Sequence, residues 1–264
     1  MIKPAKRLSK KISIGLLVGG CLLFLTWLLP FTRGAWDAVD LFVFRMLNGM
    51  LGDAPKPDWF WEFSNKRIFD KVMAICYAVL AIKWATSGVR GNPRRRMIQV
   101  GMAIFCVFAM RLGVDEVMDA MDYDRLSPSY VVEGATTLKD IFPETEAKWR
   151  SKSSFPGDHA LVSIWMMLYF ILFSKPRYAG FAIALTLIAG MPRLVVGAHW
   201  FTDNLIGGLG FSLIFFGLFL LTGLYEKGVT IGENLCLQLE KKFGITWLEK
   251  RDPSSDHHAV PHMA

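Results

Sequence analysis

Six apolar runs of roughly bilayer length dominate this 264-residue sequence. They fall at about residues 12–29, 69–86, 97–112, 159–173, 178–196 and 203–224. A helix needs roughly 20 apolar residues to cross a hydrocarbon core. The expected fold class is therefore all-α: a polytopic membrane helical bundle with six transmembrane helices. The second run is the weakest of the six, because Lys71 and Lys83 lie within it. Both are near its ends, where long side chains reach the headgroups. The first run is long, lacks an A-x-A-like cleavage site and is followed by further runs, so it reads as a retained span rather than a signal peptide. At 53% hydrophobic residues the chain is too apolar for an ordinary soluble domain.

Charge sets the expected orientation. Basic residues gather before the first run (Lys3, Lys6, Arg7, Lys10, Lys11), between runs two and three (Arg90, Arg94, Arg95, Arg96), between four and five (Lys175, Arg177) and after six (Lys227, Lys241, Lys242, Lys250, Arg251). Cytoplasmic N- and C-termini put all four groups on the cytoplasmic side. The acidic stretch 113–158 then faces outward, and in a bacterial inner membrane that means the periplasm. The net charge of +7 thus reads as topology signals and attraction to anionic headgroups, with no nucleic acid as partner. Trp36, Trp59, Phe60 and Trp61, in the loop after the first run, predict interfacial helices on the periplasmic side.

Two domains are expected: a six-span membrane domain at 1–226, and a cytoplasmic amphipathic helix with a flexible tail at 227–264. Ile231, Leu235, Leu239 and Phe243 recur at four-residue spacing in the helix. His257, His258 and His262 lie in a polar, proline-punctuated tail that reads as disordered rather than metal-binding. Cys21, Cys76, Cys106 and Cys236 show no C-x-x-C spacing, so neither a disulfide nor a zinc site is inferred.

Two stretches carry chemistry. SFPGDHA (154–160) and MPRLVVGAHWFTD (191–203) both fall at the outward ends of their runs. His199 and Asp203 are four apart, one turn on a helix, so the carboxylate can fix the tautomer of the imidazole and leave the other nitrogen as a nucleophile. The same pair suits a metal, but no third and fourth ligand is evident in the sequence. The Arg193 fork suits a phosphate. His159 is placed to give a proton to a leaving oxygen, and Gly157 allows close backbone approach of an anion to a helix start. Asp158 reads equally as a helix cap or as a group that tunes His159.

These stretches resemble the type 2 phosphatidic acid phosphatase superfamily, whose pattern is Lys-x6-Arg-Pro, Pro-Ser-Gly-His and Ser-Arg-x5-His-x3-Asp. Arg193, His199 and Asp203 match the third part, with Pro192 in place of the serine; Pro156 and His159 match the second. Arg125 in DRLSPS is the best match to the first, with Met118 where the lysine belongs. Arg125 also reads as a plain surface residue. The FPGDH variant resembles a branch that moves a phosphoryl group from undecaprenyl diphosphate to the 1-phosphate of lipid A. SNKRIFDK, with Asn65, Arg67 and Asp70, resembles a segment of that branch. The resemblance implies His199 as nucleophile, His159 as acid and base and Asp203 as orienter. It implies Arg193, Arg125, Gly157 and Lys152 on the phosphate, with Lys148 and Arg150 as other substitutes for the absent lysine. Asn65, Arg67, Asp70 and Asp158 would contact a headgroup. No cofactor and no metal is implied. The partners are the membrane and lipid substrates, undecaprenyl diphosphate and lipid A, with room for a small regulatory membrane peptide. A lipid phosphatase is the alternative activity.

Overall fold

The computed structural model describes residues 10–52, 57–87, 93–120 and 122–244, and these contain helices and no strand. The outlying basic residues Lys3, Lys6, Arg7, Arg90, Lys250 and Arg251 and the histidines His257, His258 and His262 lie outside the described residues. Helix α1 (Lys10–Leu28) is followed by α2 (Pro30–Asn48), α3 (Asp58–Ser64), α4 (Arg67–Thr86) and α5 (Pro93–Ala120). Two single turns, α6 (Pro128–Val131) and α7 (Leu138–Ile141), sit in the long loop before α8 (Asp158–Phe173) and α9 (Pro176–Val195). A π-helical stretch, Asp203–Gly210, runs directly into α10 (Phe211–Leu221), and α11 (Leu224–Phe243) ends the described chain.

Among the described residues, four segments are long and apolar enough to cross a membrane: α1, α5, α9 and the joined stretch Asp203–Leu221. The other two expected spans fall short for different reasons. Helix α8 begins only at Asp158, and its 16 residues reach about 24 Å. Helix α4 has 20 residues but carries Arg67, Asp70, Lys71 and Lys83.

Small residues bring the helices together. A side chain at Gly217 of α10 would press on the Ser13 carbonyl and Leu17 amide of α1 at 2.8 Å, so only glycine lets these backbones touch. At the bundle centre Trp165, Tyr169 and Phe170 of α8 pack with Met110 of α5 and Phe216 of α10. The Trp165 indole donates to the Ala103 carbonyl at 2.9 Å, which satisfies its polar edge inside the core.

The bundle has two chemically distinct ends. At one, Arg96 donates to the Trp84 carbonyl, the Tyr178 hydroxyl to the Lys83 carbonyl and the Tyr225 hydroxyl to the Gln99 carbonyl. These bonds gather the end of α4 and the starts of α5, α9 and α11, together with their basic residues. The other end holds both motif stretches. Helix α11 runs antiparallel to the start of α5. Arg95 pairs with Glu226 at 2.9 Å and with Glu233, and Arg94 pairs with Glu240 at 2.7 Å. Its Ile231, Leu235, Leu239 and Phe243 stay exposed. The expected division at residue 226 falls inside this helix.

Gly217→Val forces two backbones apart. It is expected to cost about 1–3 kcal/mol, read as a lower thermal midpoint of the detergent-solubilised protein.

Candidate active site

The site is built where α9 stops. Gly197 has φ +72, a conformation that favours glycine. The Ala198 amide donates back to the Arg193 carbonyl at 2.9 Å and the Gly197 amide to that of Leu194 at 3.2 Å, a Schellman ending. The chain therefore turns sharply, and His199 comes back against SFPGDHA.

His199 is buried, and its Nδ1 lies 2.7 Å from the Ser154 carbonyl oxygen. A carbonyl only accepts, so Nδ1 carries the proton and Nε2 keeps its lone pair. That Nε2 is buried and makes no hydrogen bond. The expected orienter stands further off: Asp203 Oδ2 is 3.7 Å from Nδ1, beyond hydrogen-bond reach. The reason is local. His199 and Asp203 do not share a helical turn, because the next helix starts only at Phe201. Asp203 Oδ2 instead accepts the Trp200 amide at 2.7 Å, the reach-back of a helix-capping acid.

The other Asp203 oxygen accepts from Arg125 at 2.7 Å. Arg125 also donates to Thr202 Oγ1 at 2.8 Å and to Asp40 Oδ2 at 2.7 Å, and its face lies over Trp200. Arg125 is thus neither a plain surface residue nor aimed at a phosphate. Its guanidinium is committed to two carboxylates that are 1% and 0% exposed. Burial alone lowers the proton affinity of Arg125, but Asp203 and Asp40 outweigh it and raise it above the ordinary arginine value. Burial pushes the Asp40 carboxyl up, against the opposing Thr202 and Arg125 bonds.

On the other flank, Arg193 is buried and faces Asp70, with Nη2 3.2 and 3.3 Å from the two carboxylate oxygens. Its Nη1 donates to the carbonyls of Asn65 at 3.3 Å and Lys148 at 3.4 Å. His159 Nε2 lies 3.1 Å from Asp70 Oδ2 and 3.3 Å from Arg193 Nη2. Asp70, Arg111, Asp158, His159, Tyr77 and Ser163 line a cavity of about 240 Å³. A second cavity of about 270 Å³, bordered by Ser163, Ile164, Met167, Leu187, Phe201 and Asn204, lies between α8, α9 and the π-helical stretch.

Residues 120–222 match the PAP2 superfamily. The chain is also 28% identical, over 217 residues, to a protein of Escherichia coli (strain K12) named lipid A 1-diphosphate synthase; the match covers 80% of this chain and 87% of that relative. No solved structure matches. Taken together the two likenesses make the chain an enzyme of the lipid phosphatase and phosphotransferase class.

Within the matched residues 120–222 lie His159, Arg193, His199 and Asp203, together with four expected residues whose surroundings differ from the expectation. Gly157 donates its amide to the Asp203 carbonyl at 3.1 Å, so that N–H does not point at an anion. Asp158 is the first residue of α8 but makes no capping bond; it pairs with Arg111 at 3.2 Å. Lys152 is exposed on the loop before Ser154. Arg125 is the fourth. Of the substitutes, Arg150 stacks on Trp149 and Tyr130, while the Lys148 backbone sits directly on Arg193. Asn65, Arg67 and Asp70 lie before the matched residues. Asn65 is buried and donates to the Pro192 carbonyl at 3.2 Å, which ties the start of α4 to α9, whereas Arg67 is exposed. No third ligand joins His199 and Asp203: among the described residues no group of three metal-binding side chains occurs.

Sequence reasoning missed Asp40, Thr202 and Arg111. Asp40 shares a helix face with Phe44 and Leu47, four and seven residues on, and a carboxylate on an otherwise buried face is a signal that was there to be read. Asp40→Ala leaves Arg125 buried with one partner fewer. The expected loss is about 3–5 kcal/mol, measured by thermal unfolding in detergent.

Proposed function

We propose that this protein moves a phosphoryl group from undecaprenyl diphosphate to the 1-phosphate of lipid A through a phosphohistidine on His199. The observation that carries this reading is the His199 imidazole: Nδ1 is held by the Ser154 carbonyl and Nε2 is left without a hydrogen-bond partner. An imidazole so fixed is a nucleophile at one defined atom. The name of the E. coli relative supports lipid A as acceptor. Both cavities border α8, and one of them is lined by His159.

In this mechanism the Nε2 lone pair attacks the terminal phosphorus of the donor, and the P–O bond to the lipid phosphate breaks. Arg193 faces the charge that spreads over the phosphoryl oxygens. Asp203 lies close enough to favour the imidazolium electrostatically without bonding to it. His159 Nε2 supplies a proton to the leaving oxygen. An oxygen of the acceptor phosphate then attacks the phosphohistidine, and the N–P electron pair returns to Nε2. Arg125 acts through Asp203, as a positioning residue. Arg67 and Lys148, both exposed, are placed to meet headgroup charge.

The same reading sets the chain in a bacterial inner membrane with six spans, α4 and α8 joining α1, α5, α9 and the stretch Asp203–Leu221. The basic end of the bundle faces the cytoplasm with both termini, and the site faces the periplasm. Helices α2 and α3 lie at the periplasmic interface, where exposed Phe31, Phe42 and Trp59 meet lipid. Helix α11 rests its apolar face on the inner surface.

His199→Ala is expected to lower phosphoryl turnover to below about one-thousandth of wild type, measured with labelled donor on protein that keeps its thermal transition. Full turnover in this variant overturns the reading. Purified protein given donor with and without lipid A separates transfer from hydrolysis. Labelled lipid A 1-diphosphate is the expected product, and rapid release of free phosphate without acceptor makes the enzyme a phosphatase.

A further inference from the structure

Asp70 touches the wrong side of His159 for an orienting residue. A carboxylate that positions a working imidazole bonds the nitrogen opposite to the one that reacts. Here Asp70 Oδ2 is 3.1 Å from Nε2, the nitrogen that also lies 3.3 Å from Arg193. Nδ1, on the far side of the ring, is buried without a partner. One carboxylate oxygen and one guanidinium nitrogen therefore flank Nε2. An ionised carboxylate only accepts, so the hydrogen between Asp70 and His159 belongs to Nε2; Arg193 Nη2, whose hydrogens go to the Asp70 oxygens, then stands beside that nitrogen without bonding to it. Arg193, with Nη2 3.2 Å from Asp70 Oδ1, holds the carboxylate in place. The remaining charged groups around the ring are Asp158 on α8 itself and Arg111 on α5, which pair with each other at 3.2 Å.

An imidazole with a hydrogen at Nε2 donates there and does not accept. Resting on the transfer reading, this has different consequences for the two steps. In the first, a hydrogen at Nε2 is what the leaving oxygen requires. In the second, the two acceptors differ. Water must lose a proton to attack phosphorus, and in this mechanism the base is His159 Nε2. A phosphate monoester is already ionised near neutral pH and attacks without giving up a proton. We propose that Asp70 is the residue that selects transfer over hydrolysis, by keeping His159 a donor and so denying water its base. The bonds balance in both routes. Transfer forms O–P and breaks N–P, returning the pair to His199 Nε2. Hydrolysis does the same but must also place a water proton on His159. Having given its proton to the first leaving group, His159 takes one back from solvent before the acceptor attacks, and the Asp70 carboxylate 3.1 Å away favours that return.

The test is the partition of product. Detergent-solubilised full-length enzyme receives labelled undecaprenyl diphosphate and lipid A, and free phosphate and transferred phosphate are counted together. Asp70→Asn offers Nε2 no fixed anionic acceptor, and is expected to raise the ratio of free to transferred phosphate at least about fivefold. Asp70→Ala should do the same, while Asp70→Glu, which keeps the carboxylate, should hold the ratio near wild type. An unchanged ratio in Asp70→Asn and Asp70→Ala overturns the proposal, as does loss of both products together; either result makes Asp70 a structural partner of Arg193. Failure of the underlying reading shows up separately, in wild type: no transfer to lipid A, with free phosphate as the sole product.

Discussion

The site depends on Arg125, which works at both ends. Its guanidinium joins Asp40 of α2 to Asp203 at the start of the π-helical stretch, with Thr202 between them. Its backbone carbonyl accepts the Ser154 amide at 2.7 Å, and the Ser154 carbonyl in turn holds His199. One residue of the long loop thus fixes the carboxylate and, through two hydrogen bonds, the nucleophile. Buried charges are costly unless they are paired and hydrogen-bonded. Each of the three here has partners, and removing one strands the others. The Thr202 amide adds a further bond to Asp40 at 2.8 Å.

A second group of bonds holds the other half. Arg193 is anchored by the Asn65 and Lys148 carbonyls and by Asp70, so the start of α4, the long loop and the end of α9 meet on one guanidinium. His159 joins them from α8. The N-terminal end of α8 points into this region, and its first amides have no partner within the helix. The active end of the bundle is therefore rich in donors, although Gly157 itself is spent on Asp203.

The all-helical class and the two motif stretches were legible because their signals are local. Apolar runs mark helices, and the Arg-x5-His-x3-Asp spacing survives whatever the loops do. The partners of those residues were not legible in the same way. Fixed spacing suggests that His199 and Asp203 share a helical face, yet Gly197 ends α9 and Trp200 intervenes, so the imidazole finds a backbone carbonyl that no side-chain pattern encodes. Arg125 was found by its motif but its partner on α2 was not, because Asp40 lies 85 residues away on a helix read only as interfacial. The runs expected at 69–86 and 159–173 match α4 and α8 closely, and what stands out less in them is apolar length. Charge at the start of α4 and the late start of α8 both serve the site, and both shorten what a hydropathy pattern recognises.

The π-helical stretch has a consequence for how this gene can vary in length. A wide turn of this kind holds one residue more than an α-helical turn. Deleting one residue between 203 and 210 lets that turn close to a regular α-helical one, and the helix after it keeps nearly the same face. Gly217 would then still meet the Ser13 carbonyl of α1, whereas a deletion within α10 ahead of Gly217 would turn a bulkier neighbour toward that carbonyl by about 100°. A lost residue is therefore absorbed by the wide turn, as far as the register of α10 is concerned, but not by α10 itself.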